Sequence, residues 1–183
     1  APALLRLLAV LQHCRRWRRL AVTILRKPSG KTNTMTDIHW QIARFDQLTV
    51  NQLYAILQAR STVFVLEQNC VYLDIDGKDQ HCVHLTAWNT QNELLAYLRV
   101  VPPGLSFTEA SLGRVITTAA ARGTGIGKQL LQRGIAVCRE TYPQQNIRIG
   151  AQHYLEKFYQ SFGFVTDSEI YLEDGIPHVE MIL

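Results

Sequence analysis

The sequence lacks the cysteine spacing that would hold a metal or staple a small fold. Its four cysteines, Cys14, Cys70, Cys82 and Cys138, lie far apart, with no C-x-x-C pair. Reduced thiols in a cytoplasmic protein are the expected state. His81-Cys82-Val83-His84 promises no metal site either, because alternation along a strand sends His81 and His84 to opposite faces. Proline and glycine are modest, 6 and 11 of 183 residues, which excludes collagenous or low-complexity chain. No apolar stretch of the first 34 residues approaches the ~20 residues that a membrane span needs, and no internal repeat is present. Acid is missing altogether from residues 1–34, whereas Arg6, Arg15, Arg16, Arg18, Arg19, Arg26, Lys27 and Lys31 all fall there.

That one-sided stretch accounts for the overall charge of +4. Setting its eight basic groups aside leaves 11 Lys and Arg against 15 Asp and Glu, so residues 35–183 carry −4. Nucleic acid is therefore not expected as a partner of the body. Residues 1–34 mix Leu4, Leu5, Leu7, Leu8, Val10 and Leu11 with arginines and end in a turn-rich run, Lys27 to Thr34. Such composition suits a transit segment or a basic helix on a membrane surface. We read it in preference as sequence upstream of a true start at Met35, an arm outside the fold, with the compact domain spanning 35–183.

From Met35 onward the periods change several times. Ile38 to Arg44 alternates as a half-buried strand does. Thr49 and Gln52 have the spacing of a capping box, and Leu53, Ile56, Leu57, Arg60, Val63 and Phe64 then recur on one helical stripe. Residues 67–80 show no period and carry four acids, which predicts a loop. Cys82–Asn89 and Glu93–Val101 read as a hairpin, Ser111–Thr117 as a strand, and the segment to about Tyr142 as a helix. Ile147–Ala151 is a short strand and His153–Phe162 a helix stopped by Gly163. Val165–Tyr171 and His178–Ile182 form a last pair of strands. This order predicts an α/β or mixed α+β domain whose last two crossovers demand parallel neighbours.

The strongest local signal is Arg122-Gly123-Thr124-Gly125-Ile126-Gly127-Lys128 between a strand and a helix. Alternating glycines let successive N–H groups converge on a phosphate at a helix N-terminus. A Walker A loop would need Gly at Arg122 and Ser or Thr at Gln129, and a dinucleotide fingerprint would need Gly at Lys128, so both fail.

Arg122-x-x-Gly125-x-Gly127 resembles the pyrophosphate loop of the GNAT acetyltransferase superfamily, and Phe158-Tyr159-x-x-x-Gly163-Phe164 resembles its second signature. More narrowly, Val63 to Cys70, Asp74 to Gly77, Gly113 to Ile116, Gly150 to Gln152 and Glu173 to His178 are similar to the ElaA family within it. The resemblance runs from Ile38 to Met181. It implies a mixed central sheet, flanked by helices, with a V-shaped splay between the strands at 111–117 and 147–151. It further implies acetyl-CoA as co-substrate, without a metal, and direct transfer to a small-molecule or peptide amine. Val115, Ile116 and Thr117 would pair with the pantetheine arm and offer an oxyanion site. Amides of Arg122, Gly123, Thr124, Gly125, Ile126 and Gly127 would hold the pyrophosphate, aided by the Arg122 side chain. Gln152 would contact the cofactor where the superfamily often has Asn. Tyr159 would protonate the leaving thiolate, and a homodimer is common for such domains.

The base that prepares the amine is open at this stage. Glu67, which follows an apolar helix end and is expected to be partly desolvated, and His178 lead a set that includes Asp74, Asp76, His81 and His84. The acids of 67–80 equally suit attraction of a cationic amine. The alternative activity class is a non-catalytic acyl-CoA sensor or interaction module that keeps the cleft without turnover.

Overall fold

A computed structural model describes residues 37–183; the basic arm expected over residues 1–34 lies outside the described residues. The first strand, β1 (His39–Arg44), leads through a short 3-10 turn into α1 (Val50–Arg60). Thr49 opens α1 as expected: its hydroxyl accepts from the Gln52 amide at 3.2 Å, and the Gln52 side chain accepts from the Thr49 amide at 2.9 Å. The helix does not run on unchanged to Phe64. From Ser61 to Glu67 it widens into a π turn, closed by a bond from the Gln68 amide to the Val63 carbonyl at 3.3 Å. Such insertions concentrate at functional sites, and this one buries Val63 while bringing Phe64 and Glu67 to a cleft.

Residues 68–78 are irregular, as expected, and are followed by β2 (Val83–Trp88) and β3 (Leu94–Val101), an antiparallel hairpin. Its turn is organised by Asn89, whose side-chain oxygen accepts from the amides of Gln91 and Glu93 at 2.9 and 2.8 Å. Then come β4 (Ala110–Thr117), α2 (Ile126–Thr141), β5 (Ile147–Gln152) and the short α3 (Glu156–Gln160), which is preceded by a 3-10 turn, His153–Leu155. Gly163, with φ at +94°, ends it. The strand expected over Val165–Tyr171 is split into β6 (Val165–Thr166) and β7 (Tyr171–Glu173), both antiparallel to β8 (Ile176–Ile182).

All eight strands form one mixed sheet, ordered β1-β2-β3-β4-β5-β8-β6, with β7 also on β8. Only the crossover through α2 produces parallel neighbours, β4 and β5. The expectation that the α3 crossover does the same is corrected. There β8 inserts between β5 and β6 and pairs antiparallel with both, because a hairpin return satisfies its edges at once.

Alternation along β3 serves two cores. Leu98 and Val100 face a large cluster with Leu130, Leu131 and Ile135 of α2, whereas Tyr97 joins Ile56, Val63 and Ile116 beneath α1. Where α2 crosses β3, a side chain at Gly134 would meet Leu98 Cδ2 at 2.6 Å, so close approach fixes that glycine.

Candidate active site

The parallel pairing of β4 with β5 extends over only two residue pairs, Ala110 with Ile147 and Ser111 with Arg148. Beyond them the strands separate, leaving the edge of β4 from Leu112 onward without a strand partner. A bulge helps. Between pairs Tyr97–Ile116 and Arg99–Gly113, β4 carries one more residue than β3, and Arg114 takes a left-handed conformation with φ at +54°. The gap is a cleft of about 860 Å³. Val115, Ile116 and Thr117 wall it on one side and Gly150 and Gln152 on the other, with Tyr159, His178, Glu67 and Arg122 also in its lining.

At the end of β4 the chain passes through the glycine loop into α2. Gly123 and Gly125 lie at φ +77° and +84°, a region that costs other residues about 1–2 kcal/mol. A Cβ at either would meet nothing within 4 Å, so the backbone conformation and not crowding demands glycine there. No amide from Gly123 to Gly127 makes a hydrogen bond of good geometry to the described residues. Free donors at a helix N-terminus are of the kind that suits an anion. Ile126 is buried in the core, so its amide alone is available, and the Thr124 hydroxyl is spent on the Ala121 carbonyl at 2.6 Å.

Tyr159 is 7% exposed and packs edge-to-face on Phe158 and Phe164. Burial pushes its phenol up to about 12, so it carries its proton at neutral pH. The hydroxyl is not sealed: among the described residues Arg99 Nε is the only occluded side-chain polar atom without a partner.

His178 stacks on Tyr171, ring centroids 5.9 Å apart, and its Nδ1 lies 2.8 Å from the Ile176 carbonyl oxygen. Because a carbonyl only accepts, Nδ1 carries the hydrogen and Nε2 is left as the basic nitrogen. The Glu67 side chain is about one-third exposed, and its carboxylate is bound by Arg122 Nη2 at 2.5 Å, while Arg122 Nε donates to the Thr117 carbonyl at 3.3 Å. The Arg122 side chain thus ties the end of β4 to the π turn. Gln152 donates from Nε2 to Gln68 Oε1 at 3.1 Å across the cleft.

The remaining base candidates are corrected. Asp74 and Asp79 are ligands of the fully buried Arg60, at 2.9 and 2.8 Å. Arg99 binds Asp76 and Asp79 at 2.5 and 2.7 Å, and Arg114 binds Asp74 at 2.6 Å. Burial alone would raise the Asp79 and Asp76 carboxyls, but the Arg60 and Arg99 guanidinia outweigh it and hold both below the usual carboxylate range. These acids therefore neutralise buried arginines and are not free to draw in a cationic substrate. His84 is buried, held by Tyr97 Oη at 2.9 Å and the Asp79 carbonyl at 3.0 Å, and burial lowers its pKa. Neither it nor His81 lines the cleft.

Sequence reasoning missed Arg114, Cys70, Tyr72 and Gln68, all in the cleft lining. An arginine within an otherwise uncharged strand, Ser111 to Thr117, was the available signal for the first.

The sequence pattern of the Acetyltransferase (GNAT) domain matches residues 58–183. Protein ElaA of Escherichia coli is 44% identical over 146 residues, covering 79% of this chain and 95% of that protein. The crystal structure of Escherichia coli ElaA superposes with a TM-score of 0.75 at 42% identity, over 80% of this chain and 99% of that one. An acyl-CoA N-acyltransferase structure from Pseudomonas aeruginosa gives 0.76 at 39% identity, over 80% and 99%. The strands that open at Leu112, the donor-rich loop after them and these alignments lead to one assignment: the chain belongs to the GNAT acetyltransferase family and is ElaA-like within it.

Proposed function

We propose that the protein is an acetyl-CoA-dependent N-acetyltransferase that moves the acetyl group directly to an amine. The observation that carries the reading is a single cleft whose lining joins the unpaired edge of β4 to Tyr159 and His178. Backbone groups of Val115, Ile116 and Thr117 are available to pair with an extended pantetheine arm, as a strand would. Amides of Arg122 to Gly127 suit the pyrophosphate, with the α2 dipole adding to the attraction.

Acetyl-CoA supplies an activated thioester carbonyl. His178 Nε2 takes one proton from the substrate ammonium, so that the amine attacks as a neutral nucleophile. A β4 amide N–H stabilises the oxyanion that forms at the carbonyl. As the C–S bond breaks, the Tyr159 hydroxyl gives its proton to the sulfur, and the phenolate regains one from the nitrogen of the adduct, so that the amide and free CoA thiol form while His178 passes its proton to solvent. Glu67, already committed to Arg122, serves this scheme by holding that guanidinium near the loop and not as the base. The unit that performs it is residues 35–183. No disulfide joins Cys70, Cys82 and Cys138, which suits a reducing cytoplasm. No helix among the described residues is long and apolar enough to cross a membrane.

Calorimetric titration with acetyl-CoA, paired with thiol-release assays, tests the reading. Gly125→Trp is expected to abolish measurable binding. Tyr159→Phe is expected to bind normally and lose roughly 10²-fold in kcat. Normal binding with no thiol release to any amine by the wild type favours the acyl-CoA sensor instead.

A further inference from the structure

Arg114 stands in the cleft wall with more structure around it than a surface cation requires. Its left-handed φ of +54° is a conformation that a long side chain adopts only when its surroundings impose it. Its guanidinium lies over two aromatic rings, 5.8 Å from the Phe64 centroid and 5.5 Å from that of Tyr72. One edge is fully used: Nε donates to Asp74 Oδ1 at 2.6 Å, and Nη2 to the Asp74 carbonyl at 3.2 Å and Asp76 Oδ2 at 3.5 Å. Nη1, with two N–H groups, has no partner among the described residues, and the side chain keeps 22% exposure where it lines the cleft.

We infer that Arg114 is the carboxylate-binding residue of the acceptor site, and that the acceptor is an amine that also bears a carboxylate, as an amino acid does. This rests on the acetyltransferase reading and narrows its substrate class. The charge pattern selects a monoanion. Glu173 and Asp174 also line the cleft, and Glu67 there is already paired with Arg122, so a phosphate dianion at Arg114 meets two further carboxylates, whereas a zwitterion places its ammonium beside them and its carboxylate on Nη1. The rings and Asp74 prevent the guanidinium from swinging away, so little side-chain entropy is lost on binding. A site built to hydrogen-bond a substrate group discriminates strongly against the analogue that lacks it.

The test compares matched pairs, phenylalanine with phenethylamine, histidine with histamine and lysine with cadaverine, by kcat/KM for thiol release from acetyl-CoA. The wild type is expected to favour the carboxylate-bearing partner of at least one pair by about tenfold to a hundredfold, the range of a hydrogen bond to a charged group. Arg114→Gln is expected to bring that ratio near one, through KM. Arg114→Lys, which keeps a cation beside Asp74, is expected to hold an intermediate ratio. Because both substrates are assayed in one preparation, the ratio is independent of the folded fraction. Transfer to amines without carboxylate preference, or a ratio unchanged in both variants, overturns the inference and leaves the acetyltransferase reading standing. Thiol release with neither set, despite acetyl-CoA binding, overturns both.

Discussion

Glycine backbone shapes the loop from Gly123 to Gly127, while the cleft wall at residues 68–78 hangs on three arginine anchors, Arg60 and Arg99 buried and Arg114 half-buried. In the first, φ values of +77° and +84° leave a run of amides free, and side chains help only through the Thr124 hydroxyl and the buried Ile126. In the second, residues 68–78 have no ladder and little core of their own, and Asp74, Asp76 and Asp79 fasten them to Arg60, Arg99 and Arg114. On the acetyltransferase reading, the cofactor common to every turnover would meet main-chain dipoles, and the acceptor would meet a segment pinned by ion pairs. Damage to the two regions should therefore be felt differently, in binding for the loop and in stability for the pinned segment.

The largest effect is expected at Arg60, which is wholly buried. Arg60→Met removes the buried guanidinium that Asp74 and Asp79 share, leaving them to Arg114 and Arg99 alone, and should cost about 3–5 kcal/mol in urea unfolding. A loss below 1 kcal/mol would show that the ion pairs do not hold the wall. Next comes acid. Asp76 and Asp79 have folded-state pKa values below their unfolded ones, so the stability they contribute is present above about pH 4 and is lost as pH falls below it. Unfolding midpoints measured through that range should drop more steeply for the wild type than for Asp76→Asn. The smallest stability effect is expected at Gly123→Ala, about 1–2 kcal/mol of left-handed strain. Its acetyl-CoA affinity should nevertheless fall about tenfold as the amides turn away. Unchanged affinity by calorimetry would mean that the loop is not the anion site.

The same contrast explains what could be read before the structure. The capping box at Thr49, the hairpin turn before Glu93 and the glycine loop are local, and each carries its geometry in adjacent residues. Asp74, Asp76 and Asp79 misled because their partners lie 14 to 40 positions away, in α1, β3 and β4. A charge that neutralises a buried guanidinium and one that greets a solvated amine look alike in sequence. Arg60 was counted on an apolar stripe, a placement that only those distant acids make tolerable. Arg114 escaped notice because one extra residue in β4, invisible without the register against β3, decides where it points. For Glu67, position after an apolar helix end suggests partial desolvation but does not name Arg122, 55 positions away, as its partner.

The two rungs between β4 and β5 have a consequence for how the molecule comes apart. Strands β1 to β4 each pair with their neighbour in sequence, and β5 to β8 close on themselves at the other end. The sheet is thus two contiguous stretches of chain stitched by a minimal seam, and each half can form from short-range contacts. The cleft is the part of that seam left unsewn, and an extended ligand laid along β4 would act as the missing thread.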